Sequence, residues 1–303
     1  MLVNGCDCSI VIKTSHIEKD VPYSDETLRE AVSVLQEEAS IEGDGVCRGL
    51  RKISGVTGCV VTPLTIGTAP LLLYLAMGAC GNPVFISETK NLFKYELNLL
   101  PMEDTEHFDL IQERGINNEQ LSINNEGTRR SGERKLYENC RVQGFELRVM
   151  RGEAIKLKLD IFGESTPRVY PYKDNFERES GERFNSDFVA YKINGKEYSN
   201  IYGVTLVSKK TGGTKTELWI KRALENNNDI PAVIDEMIIT AQLLRDKYEY
   251  RYYGMFRITL KRLVLISDET EVETSDAVIG PLRYYVFGSV KTEVFTSNGD
   301  QIV

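Results

Sequence analysis

Between Cys140 and Gly163 the chain alternates so regularly that a two-faced ribbon is the fold it demands. Phe145, Leu147 and Val149 share one parity on the first arm, and Ile155, Leu157, Leu159 and Ile161 share one on the second. Glu146, Arg148, Lys156, Lys158 and Asp160 stand between them, so one face packs inward while the other stays polar. A period of two excludes a helix. Apolar must oppose apolar across the hairpin, because a slip of one residue turns every side chain over. That condition predicts Val149 against Ile155, Leu147 against Leu157 and Phe145 against Leu159. Arg151-Gly152-Glu153 is then the loop, with Gly152 available for a positive φ. On the polar face Glu146 opposes Lys158, a pair worth roughly 0.2–1 kcal/mol, and Arg148 opposes Lys156. This like-charged pair is either solvated or bridged by an acidic group from another strand or subunit.

A chain of 303 residues is long enough for one large or two ordinary domains. With 41% hydrophobic and 27% charged residues it reads as globular rather than disordered. The net charge of −8 argues against a surface built to grip phosphates, though not against a protein that lets a polyanion pass without sticking. Cys6, Cys8, Cys47, Cys59, Cys80 and Cys140 match no paired C-x-x-C zinc spacing, and free, mostly buried thiols in a reducing cytosol are expected. No signal peptide is evident at the amino terminus. The longest apolar stretch, residues 69–80, falls far short of the roughly 20 residues that span a bilayer.

Along the chain, a strand over residues 9–13 precedes a polar segment. There Ser24-Asp25-Glu26-Thr27 either caps a helix running to Glu38 or belongs to a surface loop. Residues 41–62 read as short β-prone pieces broken by glycines at 43, 45, 49, 55 and 58. Thr68-Ala69-Pro70 then opens a helix, with Thr68 as cap and Pro70 in the first turn, where its missing N–H costs nothing. Apolar on every side from Leu71 to about Ala79 and stopped at Gly81, it is expected to be buried. Residues 93–99 alternate as a half-exposed strand, 106–112 are its expected partner, and 115–132 form a long exposed loop. The ribbon completes a first domain, 1–163. Residues 164–185, with two prolines and no period, read as a linker lying on a surface.

A second β domain is expected over 186–303. Asn194-Gly195 between alternating runs signals a two-residue hairpin, and 201–209 with 216–222 form another around Thr211-Gly212-Gly213. A short helical piece near 231–235 leads to a strand over 237–244. Phe256, Ile258 and Leu260 keep one parity until Arg262, after which Leu263 and Leu265 take the other, as a β-bulge produces. The strand order at the end of each half suggests a distant internal duplication.

Chemistry-bearing motifs are scarce. The two histidines, His16 and His107, have no metal-ligand spacing, and Cys6 and Cys8 lack nearby partners. Lys209 to Thr216 superficially resembles a phosphate-binding loop, but Thr214 rather than glycine precedes Lys215 and a strand is expected after it, so a hairpin turn fits better. No nucleophile elbow or dinucleotide fingerprint is found. The acidic runs at 177–179 and 268–273 read as solvated loops. No catalytic residue, metal or cofactor is assigned.

The buried helix Thr65-Ile66-Gly67-Thr68-Ala69-Pro70-Leu71-Leu72-Leu73-Tyr74-Leu75-Ala76-Met77-Gly78 is followed by strands. Then come Tyr137-Glu138-Asn139-Cys140-Arg141-Val142-Gln143-Gly144-Phe145 and the charged-alternating hairpin. That order resembles the tail-tube (major tail) proteins of long-tailed phages over roughly residues 40–163. The resemblance implies a mainly β fold, with antiparallel β-sandwich or barrel domains, a flanking helix and two such domains in tandem here. It implies a structural virion protein rather than an enzyme, without cofactors, assembled in the host cytoplasm into the virion tail. Its partners are copies of itself, in a sixfold or trimeric pseudo-sixfold ring stacked into a tube, and other tail proteins. DNA passes through the lumen without specific binding. Glu146, Arg148, Lys156, Lys158 and Asp160 are the candidate wall or lumen-facing residues. A conduit is expected to have an acidic or neutral wall, and the net charge fits that. The alternative is a soluble β-sandwich module that binds a ligand, or a hydrolase, using its acidic loops.

Overall fold

A computed structural model describes residues 8–35, 50–87, 92–100, 106–115, 132–169, 183–184, 189–210, 213–223, 230–245, 251–268, 272–273, 278–296 and 302. The expected loop at 115–132 and most of the 164–185 segment lie outside them. In chain order the elements begin with strands β1 (Cys8–Lys13), β2 (Glu18–Val21), β3 (Asp25–Glu26), β4 (Arg29–Leu35) and β5 (Leu50–Pro63), followed by helix α1 (Ala69–Met77). Then come β6 (Gly78–Cys80), β7 (Val84–Ser87), β8 (Leu92–Leu99), β9 (Phe108–Gly115), β10 (Gly132–Met150), β11 (Lys156–Gly163) and β12 (Arg168–Val169). The second half supplies β13 (Val189–Ile193), β14 (Lys196–Glu197), β15 (Ile201–Lys209), β16 (Lys215–Ala223), β17 (Val233–Arg245), β18 (Arg251–Asp268), β19 (Val272–Glu273), β20 (Val278–Val286) and β21 (Val290–Thr296). The fold is mainly β, a large antiparallel sheet with one short helix.

The ribbon is β10 and β11, paired from Cys140 with Gly163 to Arg148 with Lys156. Leu147 meets Leu157, Phe145 meets Leu159 and Glu146 meets Lys158, as the apolar pattern requires. Val149 and Ile155 do not form the expected last rung. Val149 pairs with Val204 of β15 on the other edge, and the Ile155 N–H donates to the Phe184 carbonyl. The loop is therefore longer than three residues, with Gly152 at φ 77°.

Two long strands bend and change partners. In β10 the break is Asn139, at φ 60°, where the register with β9 shifts; its N–H donates to Asp109 Oδ1 at 3.1 Å. Beyond it β15 takes over the edge that β9 held. In β18 the break is Arg262, at φ 52°. Gly254 to Leu260 pair with β21, whereas Leu263 to Asp268 pair with β20. Leu260 and Leu263 are both buried while Lys261 and Arg262 are exposed, which is the parity change that reads as a bulge in the sequence. Asn194 (φ 49°) and Gly195 (φ 80°) make the β13–β14 turn with both central residues left-handed. Asn194 Oδ1 accepts from the backbone N–H groups of Asp235 and Glu236 at 3.0 and 3.1 Å.

Helix α1 is buried at every residue and shares one core cluster with Leu147, Leu157, Leu206, Ile239 and Ile258. It ends at Gly78, left-handed at φ 95°, three residues before the expected stop, because the chain turns directly into β6. Thr68 sits at the cap position, but its hydroxyl faces Thr65 Oγ1 at 2.7 Å rather than a helix amide. Other local expectations differ too. Residues 25–26 and 29–35 are strands, not a capped helix or a loop, since β5 offers them a partner edge. Residues 233–235 open β17 rather than forming a helix. The glycines expected to break β5 instead allow it to continue. A Cβ on Gly55 would stand 1.9 Å from the Gly163 carbonyl oxygen, and one on Gly58 2.4 Å from that of Thr27.

Contacts run between residues 1–163 and 186–303. Besides β10 with β15, β8 pairs with β21, and the two strands share ion pairs, Lys94 with Glu293 at 2.7 Å and Lys291 with Glu96 at 2.8 Å, while Arg257 of β18 reaches Glu293 at 3.2 Å. Phe184, at the end of the segment read as a surface linker, is fully buried. It is hydrogen-bonded to Leu64 and Ile155 and lies 6.3 Å from the Phe256 ring.

Candidate functional site

The five residues singled out in the ribbon share one face. Following the pairings outward from β11, a single row runs Val61, Lys158, Glu146, Val207, Glu217, Tyr285 across β5, β11, β10, β15, β16 and β20. The neighbouring row on the opposite face, Thr62, Leu157, Leu147, Leu206, Leu218, Tyr284, is buried throughout. The two-faced character of the ribbon thus extends over six strands drawn from both halves of the chain.

Charge on the outer face differs from that of the chain. Lys156, Lys158 and Asp160 lie on β11, Glu146 and Arg148 on β10, and Lys209 on β15. Lys215, Glu217 and Lys221 lie on β16, and Arg283 on β20. Among these ten side chains seven are basic and three acidic, although the whole chain carries −8. Net charge is a sum over all surfaces and says nothing about how the sheet sorts it.

Two cross-strand pairs on this face are like-charged, Arg148 with Lys156 and Lys209 with Lys215. In each, one member has found an acid. Arg148 reaches Glu153 in the ribbon's own loop at 3.4 Å, with both side chains well exposed, and among the described residues no acid bridges it to Lys156. Lys215 lies 3.3 Å from Glu217 and 4.6 Å from the centre of the Tyr285 ring. Lys158 pairs with Asp160 at 3.6 Å.

Glu217 is the hub of the β16 side. The Arg283 Nε and one terminal nitrogen both donate to its Oε2, at 2.9 and 2.7 Å. Burial alone would raise the Glu217 carboxyl, but hydrogen bonds from Arg283 and Lys215 outweigh it and hold the group below the ordinary carboxylate range. Arg283 also lies over Trp219, 4.8 Å from the ring centre, a cation–π contact that fixes the indole against the sheet. Around these side chains opens a groove of ≈ 470 Å³ lined by Glu146, Lys209, Lys215, Glu217, Trp219, Lys221 and Arg283, among others. The groove escaped the sequence reading because its lining comes from four strands. The cue that was available is the chain's single tryptophan, at an outward position between Glu217 and Lys221. Beyond Tyr285 the face turns apolar, with Val233, Val264 and Phe287 exposed.

Elsewhere, His16 and His107 are both exposed. Among the described residues no group of three or more His, Cys, Asp or Glu side chains could hold a metal ion, and no helix is long and apolar enough to cross a membrane. Cys59, Cys80 and Cys140 are free, and burial pushes the Cys140 thiol up to about 12. Lys209 pairs with Lys215 at the end of the β15–β16 hairpin, and a strand, not a helix, follows from Lys215. The acidic run at 177–179 lies outside the described residues. Compared with protein-family models and with curated proteins, the sequence matches none.

Proposed function

We propose that this chain is a structural virion protein that self-assembles into stacked rings forming the tail tube of a long-tailed phage or prophage. The observation that carries the reading is the six-stranded, two-faced wall, in which residues from both halves continue one antiparallel sheet. A ring of such walls is a natural extension, since a sheet with open edges is a hazard unless another subunit pairs with it. Among the described residues β4 and β7 each pair along one edge only, with β5 and β8, and β7 exposes Val84, Phe85 and Ile86. In this reading 1–163 and 186–303 are two tail-tube-like sandwich or barrel units. The β10–β15 and β8–β21 pairings inside the chain then stand in for junctions between single-domain subunits.

The ring holds six copies, or three in a pseudo-sixfold arrangement. It stacks in the virion tail with other tail proteins after assembly in the host cytoplasm. Glu146, Arg148, Lys156, Lys158 and Asp160 face the lumen, through which DNA passes without sequence-specific binding. The chain acts without catalysis or cofactor. Electron microscopy of the purified protein at high concentration, alone and with partner tail components, tests this: rings or tubes of uniform bore are expected. Monomers alone in every condition refute it.

The second reading, a monomeric ligand-binding module, is favoured by the groove over β15 and β16. Its lining is mainly basic, so an anion is a better ligand for it than the sugar or cation that the acidic loops bring to mind.

A further inference from the structure

We propose that the groove over β15 and β16 is a binding site for the phosphate backbone of nucleic acid, gripped by Lys209 and Lys221 around Trp219, with Lys156 on the same face two strands beyond its edge. On a face with an excess of basic groups, these three lysines have no ion-pair partner among the described residues, while Arg148, Lys158, Lys215 and Arg283 are already matched to acids. Lys209 is held directly across from Lys215, and Lys156 from Arg148. A bound anion relieves both repulsions.

The layout suits a strand of phosphates. Lys215 and Lys221 lie six residues apart on β16, about 20 Å along a strand, which is the span of about six nucleotides at 3.4 Å each. Positive groups stand at both ends of that path, Lys209 and Lys215 at one and Lys221 at the other, while Arg283 lies beside Trp219 in the middle. The Trp219 ring lies between them, a stacking platform of the kind that holds unpaired bases. An acidic patch on a second copy is the competing occupant, but it has no use for an indole in the floor. The site shares its face, and Glu146, with the wall of the tube reading, but the two are tested separately: rings without binding, or binding without rings, tell them apart.

Trp219 is the only tryptophan, so its fluorescence reports on the groove directly. The full-length chain is titrated at low salt with a short single-stranded oligonucleotide, the matching duplex and poly-aspartate, and the titrations are repeated up to about 200 mM salt. Three engaged lysines give a slope of log K against log salt of about −2 to −3, a loss of about 20- to 40-fold between about 50 and 200 mM. Lys209→Glu with Lys221→Glu abolishes the quench. Lys13→Glu with Lys196→Glu, the same charge change on β1 and β14, leaves the quench intact. Far-UV circular dichroism confirms that both double variants are folded. A larger quench by the single strand identifies base stacking on Trp219, and an equal one by the duplex identifies backbone contact alone. The proposal is overturned by the absence of quenching, by equal weakening in both double variants, or by poly-aspartate quenching as strongly as the oligonucleotides. It is also overturned by a concentration-dependent quench without nucleic acid that the first double variant removes, which places a second copy in the groove.

Discussion

Leu157 and Lys156 are adjacent in sequence and opposite in fate, so replacing each measures the two-faced wall at a single rung. Leu157 is fully buried, between Leu147 on β10 and Thr62 on β5. Leu157→Ala removes the branched end of a side chain enclosed by strands on both edges. The lost transfer energy and the cavity left by a braced sheet together cost about 2–5 kcal/mol. Lys156→Glu removes no buried contact and turns the repulsion with Arg148 into an attraction, a gain of roughly 0.2–1 kcal/mol. Urea unfolding followed by circular dichroism separates the two. With a slope of about 3 kcal/mol/M, Leu157→Ala lowers the midpoint by about 1 M, whereas Lys156→Glu holds or raises it. Leu157→Asp, which also buries a carboxylate, yields no folded protein. Equal, mild midpoint shifts for Leu157→Ala and Lys156→Glu would refute the facing of the ribbon, and with it the continuity of the wall.

Three further outcomes are expected. Phe184→Ala should cost about 3–5 kcal/mol and lower a single calorimetric transition, because its ring packs against Phe256 while its backbone joins Leu64 and Ile155; a split transition with one half unaffected contradicts that coupling. Gly55→Ala should abolish soluble expression, since its Cβ meets the Gly163 carbonyl oxygen, whereas Gly152→Ala, open on all sides but at φ 77°, costs only about 1 kcal/mol; similar yields and stabilities for the two refute the close approach. Lys210 is fully buried with no partner on Nζ among the described residues, and desolvation lowers its amine from 10.5 to about 8. The unfolded chain therefore binds more protons between about pH 8 and 10.5, so this group makes stability rise with pH across that window. Lys210→Met should raise the melting temperature at pH 7 and remove its contribution to the rise; an unchanged pH profile speaks against a buried amine.

Much of this was legible because period two is a local property. The alternation at 145–161 names the buried face of β10 and β11, the apolar match sets the register at Leu147 and Leu157, and the parity change at Arg262 marks a bulge before any strand is paired. Asn194-Gly195 and the all-apolar run of α1 are equally local, since a two-residue turn and a helix close their hydrogen bonds within a few residues. Which strand lies beside which is a different matter. A sheet closes its hydrogen bonds with remote partners, so nothing near residues 25–35 announces β5, nothing near Val149 announces Val204, and nothing near Phe184 announces Phe256. Alternation likewise says that Lys209, Glu217, Trp219 and Arg283 point outward, but only the antiparallel register gathers them into one basic groove on an acidic protein. Residue order settles which way each side chain faces, because adjacent pleats must point oppositely; long-range pairing alone decides what it faces.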